Sequence, residues 1–355
     1  MINIYEPYIA KNQKKYLQDC IKTNQIGQGK YIKQYEDALQ NYLHTKHIIT
    51  TSNGSVSLQL ILFALNIGFG DEVITTSLTY AATISSINIL GGKAVLVDVD
   101  NHLQMNIDQV IPSITKHTKA IMIPQLYGDA ANMEKLVNIA KHYNIYLIED
   151  TAEAFGCIQN NKQLGTFGIA GSFSTFANKT LTTYEGGYIS TNDDDLEAKL
   201  RLLRNQSHIG NFNHNGPGFN ARLTNFQCAI GLSQLEEIDK IIAKKKKITA
   251  YYRKNLSNKI IKLIPNVDSA EWMPVFFLPA GISYVEFRDK LVDVDVDIRP
   301  LFTPVNLMTG FNIDCKVDLS NGEKLYKNGF NLPCYPSLKS KQLRYIIDEV
   351  NKIVG

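Results

Sequence analysis

A chain of 355 residues, 44% hydrophobic and 20% charged, is long enough to bury a substantial core in one large and one smaller domain, which excludes disorder. Its 37 basic and 34 acidic residues are interleaved, and the net charge of +3 is too weak a field for a nucleic-acid surface. Five cysteines (Cys20, Cys157, Cys228, Cys315, Cys334) without a CxxC pair, a start (MINIYEPYIAKNQKK) lacking the pattern of a secretory leader, and no span-length apolar run predict a cytoplasmic, non-membrane protein.

From about residue 45 to 200, short apolar runs alternate with helical patterns, the form of a parallel sheet covered by helices. HIITTSNG reads as a strand and turn, and SVSLQLILFALN carries apolar residues at helical spacing. DEVITT, KAVLVDVD, KAIMIPQLYG and IYLIEDTA read as strands ending in polar residues. Ligands of open α/β sheets sit beyond the carboxyl ends of the strands, so Asn53 and Asp150 stand where a site forms. GSFSTFANK and GGYISTND read as two more strands around a loop, and DDDLEAKLRLLRN as an acid-capped helix.

Beyond residue 234 the texture changes to a long amphipathic helix at about 235–256, then short strands in KLIPNV, WMPVFFLP and VDVDIRP, and helices in SYVEFRDKLVD and SKQLRYIIDEVNKIV. The reading is an α/β protein with a large domain at 1–235 and a smaller α+β domain at 236–355, closely packed because no low-complexity linker separates them. The four consecutive lysines at 244–247 are expected to form a solvated helix face.

Several motifs fail. IGQGKY lacks P-loop spacing, no GxGxxG follows a strand, the seven histidines show no metal spacing, and no GxSxG is present. ATP, NAD, a metal and a Ser-His-Asp triad are thereby disfavoured. What remains fits pyridoxal 5'-phosphate (PLP), which needs a phosphate cradle, a carboxylate for the pyridine nitrogen, a ring-stacking group and a lysine. Asn53, Gly54 and Ser55 precede an apolar helix whose free amides can hold a phosphate, although an ordinary helix cap uses the same residues. Asp150 ends an apolar strand and reads either as a cap or as the carboxylate that keeps the pyridine nitrogen protonated. Lys179 lies in GSFSTFANKTLTTYEGG, apolar and hydroxyl-rich before the lysine and turn-forming after it, surroundings that desolvate an amine. Ser174 reads as a second phosphate contact or as a strand serine satisfied by backbone, and Tyr80 as a ring-stacking or a half-buried core aromatic.

SNGSVSLQLILFALNIGFGDEVI, IEDTAEAFG, GSFSTFANKTLTTYEGGYIST and FNARLTNFQCAIGLSQLEEID stand in the order and spacing of the DegT-like nucleotide-sugar aminotransferases, which the chain resembles from about residue 5 onward. The resemblance implies the PLP-dependent transferase fold of type I, like aspartate aminotransferase, with Lys179 carrying the PLP aldehyde and Asp150 on the pyridine nitrogen. It further implies Gly54, Ser55 and Ser174 at the phosphate, Tyr80 beside the ring, and Glu153 near both the cofactor hydroxyl and the substrate. Asn220 and Arg222 of FNARLT would reach the site of a neighbouring subunit, so a homodimer is expected.

Within the family, the chain looks most like enzymes that aminate C4 of nucleotide-linked 4-keto-6-deoxy sugars with L-glutamate, passing through pyridoxamine 5'-phosphate. A dTDP-linked substrate giving viosamine is the leading expectation and a GDP-linked one giving perosamine the alternative. Tyr184 and Ser207 replace glycines of the family pattern and Asn306 a histidine, which bears on the sugar side, where Glu153, Tyr184, Arg222 and Asn306 are the expected substrate contacts. Some relatives have histidine in place of the lysine and act as dehydratases, which Lys179 argues against. A PLP-binding sensor without catalysis is the rival from another class, and Lys179 together with Asp150 weighs against it.

Overall fold

The computed structural model describes all 355 residues. Seven strands, β1 (His47–Thr51), β2 (Glu72–Thr76), β3 (Lys93–Val97), β4 (Thr118–Pro124), β5 (Tyr146–Asp150), β6 (Ala170–Ser174) and β7 (Gly187–Thr191), form most of one sheet. The C-terminal part contributes β8 (Ile261–Lys262), β9 (Val275–Phe277), β10 (Arg299–Pro300), β11 (Ile313–Cys315) and β12 (Gly329–Asn331). The large sheet runs β1-β7-β6-β5-β4-β2-β3-β11, and β7 alone runs against the rest. This is the mostly parallel α/β sheet expected. Its interior strands read as continuous apolar runs because helices cover both faces.

The helices are α1 (Gln13–Lys22), α2 (Lys30–Leu43), α3 (Gly54–Ala64), α4 (Ala81–Ile89), α5 (Met133–Tyr143), α6 (Asp194–Arg204), α7 (Asn225–Leu235), α8 (Ile238–Asn255), α9 (Tyr284–Asp293), α10 (Ser320–Asn328) and α11 (Ser340–Val354). The period-2 alternation of β4 joins the two halves of the large core. Ile121 and Ile123 pack with Leu39 of α2 and Leu136 of α5, while Ala120 and Met122 face Leu58 of α3 and Ile84 of α4. Strands β8, β9, β12 and β10 form a separate antiparallel sheet, packed with α8, α9 and α11 around Phe276, Phe287 and Phe330.

The two bodies interlock. Ile2 bridges Val296, and β11 leaves the C-terminal part to pair in parallel with β3 at the edge of the large sheet. No residue pattern announced that exchange, nor α10, whose first amides are capped by Asp98 from the end of β3: Asn321 N and Gly322 N donate to its carboxylate at 2.8 and 2.9 Å. The long helix expected at about 235–256 is α8, which Glu236 and Glu237 separate from α7 before it. The run of lysines is also not uniformly solvated. Ile241, Lys245, Ile248 and Tyr252 share the inward face of α8, and Lys245 is 3% exposed, its ammonium bonded to the carbonyls of Trp272 (3.0 Å) and Cys334 (2.6 Å). No helix is long and apolar enough to cross a membrane.

One buried acid sets the end of β5. The Glu149 carboxylate accepts from Gly165 N, Phe167 N, Gly168 N and Gln125 Nε2 at 2.6–2.8 Å, tying the loop before β6 to the strand that presents Asp150. Glu149→Leu strands these donors in the core and is expected to cost about 3 kcal/mol or more, read as a lower urea midpoint at unchanged slope.

Candidate active site

Beyond the carboxyl ends of β4, β5 and β6 lies a cavity of about 540 Å³. It brings together eight of the residues singled out from the sequence: Asn53, Gly54, Ser55, Tyr80, Asp150, Glu153, Ser174 and Lys179. The topology accounts for this convergence, because parallel strands point their carboxyl ends, and the helices that follow point their amino ends, to one side of the sheet.

At one end Asn53 caps α3, its side chain accepting from Val56 N at 2.9 Å, so the first amides and the positive pole of the helix face the cavity with Ser55 among them. The end of β6 comes very close. A Cβ on Gly54 would stand 3.0 Å from Ser174 Cβ, and one on Gly187 would stand 2.6 Å from the Asn53 carbonyl carbon, so both glycines are required for Ser174 to meet the helix terminus. Free amides, a helix's positive pole and a close hydroxyl are the features that suit a phosphate.

Asp150 accepts from Thr83 Oγ1 at 2.7 Å and from Ala152 N at 3.3 Å, which fixes the carboxylate at the strand end. Burial nevertheless raises its pKa. Tyr80, the residue before α4, is 61% exposed and meets Phe302 edge-on, with ring centroids 5.6 Å apart. Lys179 sits on a loop closed by Thr175 and Thr183, whose hydroxyls are 2.6 Å apart and whose backbones are bonded. Its ammonium nitrogen lies 3.9 Å from Glu153 Oε1 and 4.1 Å from the centre of the Trp272 ring. Burial pushes the Lys179 pKa down and that of Glu153 up to about 7, so the two approach each other. Tyr127 N donates to Glu153 Oε2 at 2.9 Å from a backbone at φ +55°, a left-handed geometry that is costly for tyrosine.

Four expected residues lie off the cavity. Tyr184, at φ +68°, accepts from Gln13 Nε2 at 2.8 Å behind the lysine loop. Asn220 pairs with Asn205, whose side chain also accepts from the Arg222 guanidinium. Asn306 donates to Glu323 of α10 at 2.7 Å. Conversely, Trp272, Phe302 and Gln125 line the cavity unannounced. Trp272 carried one signal, being the single tryptophan, but WMPVFFLP read only as a small-domain strand.

An amine, a carboxylate at a strand end, an aromatic wall and a capped helix terminus around one cavity suit PLP, whose phosphate, ring and aldehyde those groups would hold. The class so defined is a PLP-dependent aminotransferase. The chain belongs to the DegT/DnrJ/EryC1/StrS aminotransferase family, which it matches over residues 7–351. It is 37% identical to the GDP-perosamine synthase of Escherichia coli O157:H7 over 99% of this chain and 98% of that one. It is 37% identical to the GDP-perosamine synthase of Caulobacter vibrioides, with the same coverage. A crystal structure of a family aminotransferase from Brucella abortus superposes with a TM-score of 0.90 at 25% identity, covering 97% of this chain and 95% of the other.

The raised pKa of Glu153 has a measurable sign. A carboxyl whose pKa rises from 4.5 to about 7 on folding contributes stability that is complete below 4.5 and lost as pH climbs through 7. Chemical denaturation of the cofactor-stripped protein is expected to show Glu153→Gln gaining on the wild type as pH rises across that window.

Proposed function

We propose that the protein moves the amino group of L-glutamate to C4 of GDP-4-keto-6-deoxymannose, forming GDP-perosamine. The observation that carries the reading is Lys179, a desolvated amine beside Glu153 in the cavity that also holds Asp150. The nucleotide rests on likeness to two relatives named GDP-perosamine synthase, and this favours the GDP-linked series over the dTDP-linked series that led the reading of the sequence.

PLP, when bound, supplies an aldehyde to take up the donor's amino group and a ring to accept the electron pair released at carbon. Asp150 holds a proton on the ring nitrogen, and the N–H and O–H bonds from Ala152 and Thr83 keep its carboxylate in place. Lys179 Nζ removes the proton from the α-carbon of glutamate and, in the second half of the exchange, delivers one to C4 of the sugar. Glu153 keeps that amine oriented, and Ser55 and Ser174 with the amino end of α3 hold the phosphate.

The homodimer belongs to the same proposal. Lys179 is the one cation among the cavity's lining residues, against Asp150, Glu153 and Glu185, whereas the ligands carry phosphates and carboxylates. Arg222 of a second copy would add a cation and Asn220 of that copy an amide donor, and Tyr184 and Asn306 would act from behind the sugar side.

Two experiments test the reading. Glutamate is supplied with GDP- and dTDP-linked 4-keto-6-deoxy sugars in parallel. Amination of the GDP sugar at C4 with release of 2-oxoglutarate is expected, and preferential use of the dTDP sugar would overturn the nucleotide assignment. Separately, Lys179→Ala and Arg222→Ala proteins, each inactive alone, are mixed and allowed to exchange subunits. Sites shared across a two-fold interface restore about a quarter of wild-type activity, because half of the dimers then carry one intact site. No recovery would place Arg222 in its own subunit's site.

A further inference from the structure

We propose that Trp272 is a positioning residue for amino transfer: its indole seats the Lys179 amine whenever that amine is free, and the buried Lys245 anchors the tryptophan from behind. The inference rests on the reading of Lys179 as the proton carrier.

A lysine side chain has a flexible four-carbon stem and many rotamers, yet to move protons between two carbons the amine must return to one place after each transfer. Trp272 is built to supply that place. The Lys179 nitrogen stands 4.1 Å from its ring centre, close enough for a cation–π contact. The same indole donates from Nε1 to the carbonyl of Asn178 at 2.9 Å, so it holds both the amine and the backbone one residue ahead of it.

The ring is itself immobilised. It is 3% exposed and stacks on Tyr127 at 6.0 Å and 22°, and Tyr127 stacks in turn on Phe302 at 5.4 Å and 17°. The Trp272 carbonyl accepts from Lys245 Nζ, whose second bond goes to the Cys334 carbonyl. Lys245 makes no ion pair, and burying an ammonium on two carbonyls is costly, so the position is kept at the expense of stability. The nearby carboxylate, Glu271, is already engaged by Arg253 and bends the chain at φ +54° just before the tryptophan.

The groups facing Lys179 are therefore Glu153 at 3.9 Å, Asp150 across the cavity and the neutral indole face. The carboxylates set its charge, and Trp272 sets its position without offering a competing acceptor.

Because Trp272 is the single tryptophan, its emission reports the contact directly. In full-chain protein stripped of cofactor, emission is expected to change with pH, and Lys179→Met is expected to alter that profile. Superimposable profiles would overturn the proposal. In the loaded enzyme, Trp272→Met is expected to lower kcat about tenfold with KM for both substrates within about twofold, while Trp272→Phe, which keeps a ring face, recovers most of the loss. Equal losses in the Phe and Met variants, or unchanged kcat in a folded Met variant, would overturn it. If the Met variant does not fold, the emission comparison decides alone. Lys245→Met is expected to lower kcat in the same direction, and unchanged turnover there would remove Lys245 from the proposal. Turnover surviving in Lys179→Met would sink the proton-carrier reading itself, whereas a dead Lys179→Met beside unaffected Trp272 variants would sink only the role of Trp272.

Discussion

The Lys179 amine stands 3.9 Å from the Glu153 carboxylate, both side chains largely buried, with Asp150 lining the same cavity. Burial disfavours the charged form of each group, while attraction between them favours both charges. Such a balance suits an amine that must be cationic at one moment and a base at the next. It survives only if the surroundings hold the three groups still, and much of the large domain is arranged to that end.

The holding is done mainly by backbone. Glu149 ties the end of β5 to the following loop, Thr83 of α4 grips Asp150, and the strained Tyr127 turns its amide toward Glu153. Each comes from a different strand connection, so the site inherits its rigidity from the sheet rather than from any one loop. Left-handed geometry at Tyr127 is the kind of local cost that persists only where the neighbours over-determine it, here by stacking with Trp272 and Phe302 and by the amide bond of Phe302 to its hydroxyl.

Much of this was legible in the residue order. Apolar runs ended by polar residues marked the strands, and parallel topology then dictated that Asn53, Asp150 and the lysine loop share one side. Helix caps at Asn53 and Asp193 were visible for the same local reason, since a short polar side chain must meet the amides of a first turn. What escaped was non-local. Nothing in IDC announces that β11 adds to the large sheet, because three residues have no period to read. Four consecutive lysines hide the fact that helical geometry turns one of them inward, and Trp272 reaches Lys179 across 93 positions through packing that no motif encodes.

The parallel pairing of β11 with β3 has a mechanical consequence. Ile313, Asp314 and Cys315 lie opposite Ala94, Val95 and Leu96, and the first residues of the chain are stitched to Val296. The smaller body is thus fastened to the larger one by sheet hydrogen bonds at two points as well as by the α7–α8 junction. A wide jaw-like swing of the smaller body away from the larger would have to break those bonds.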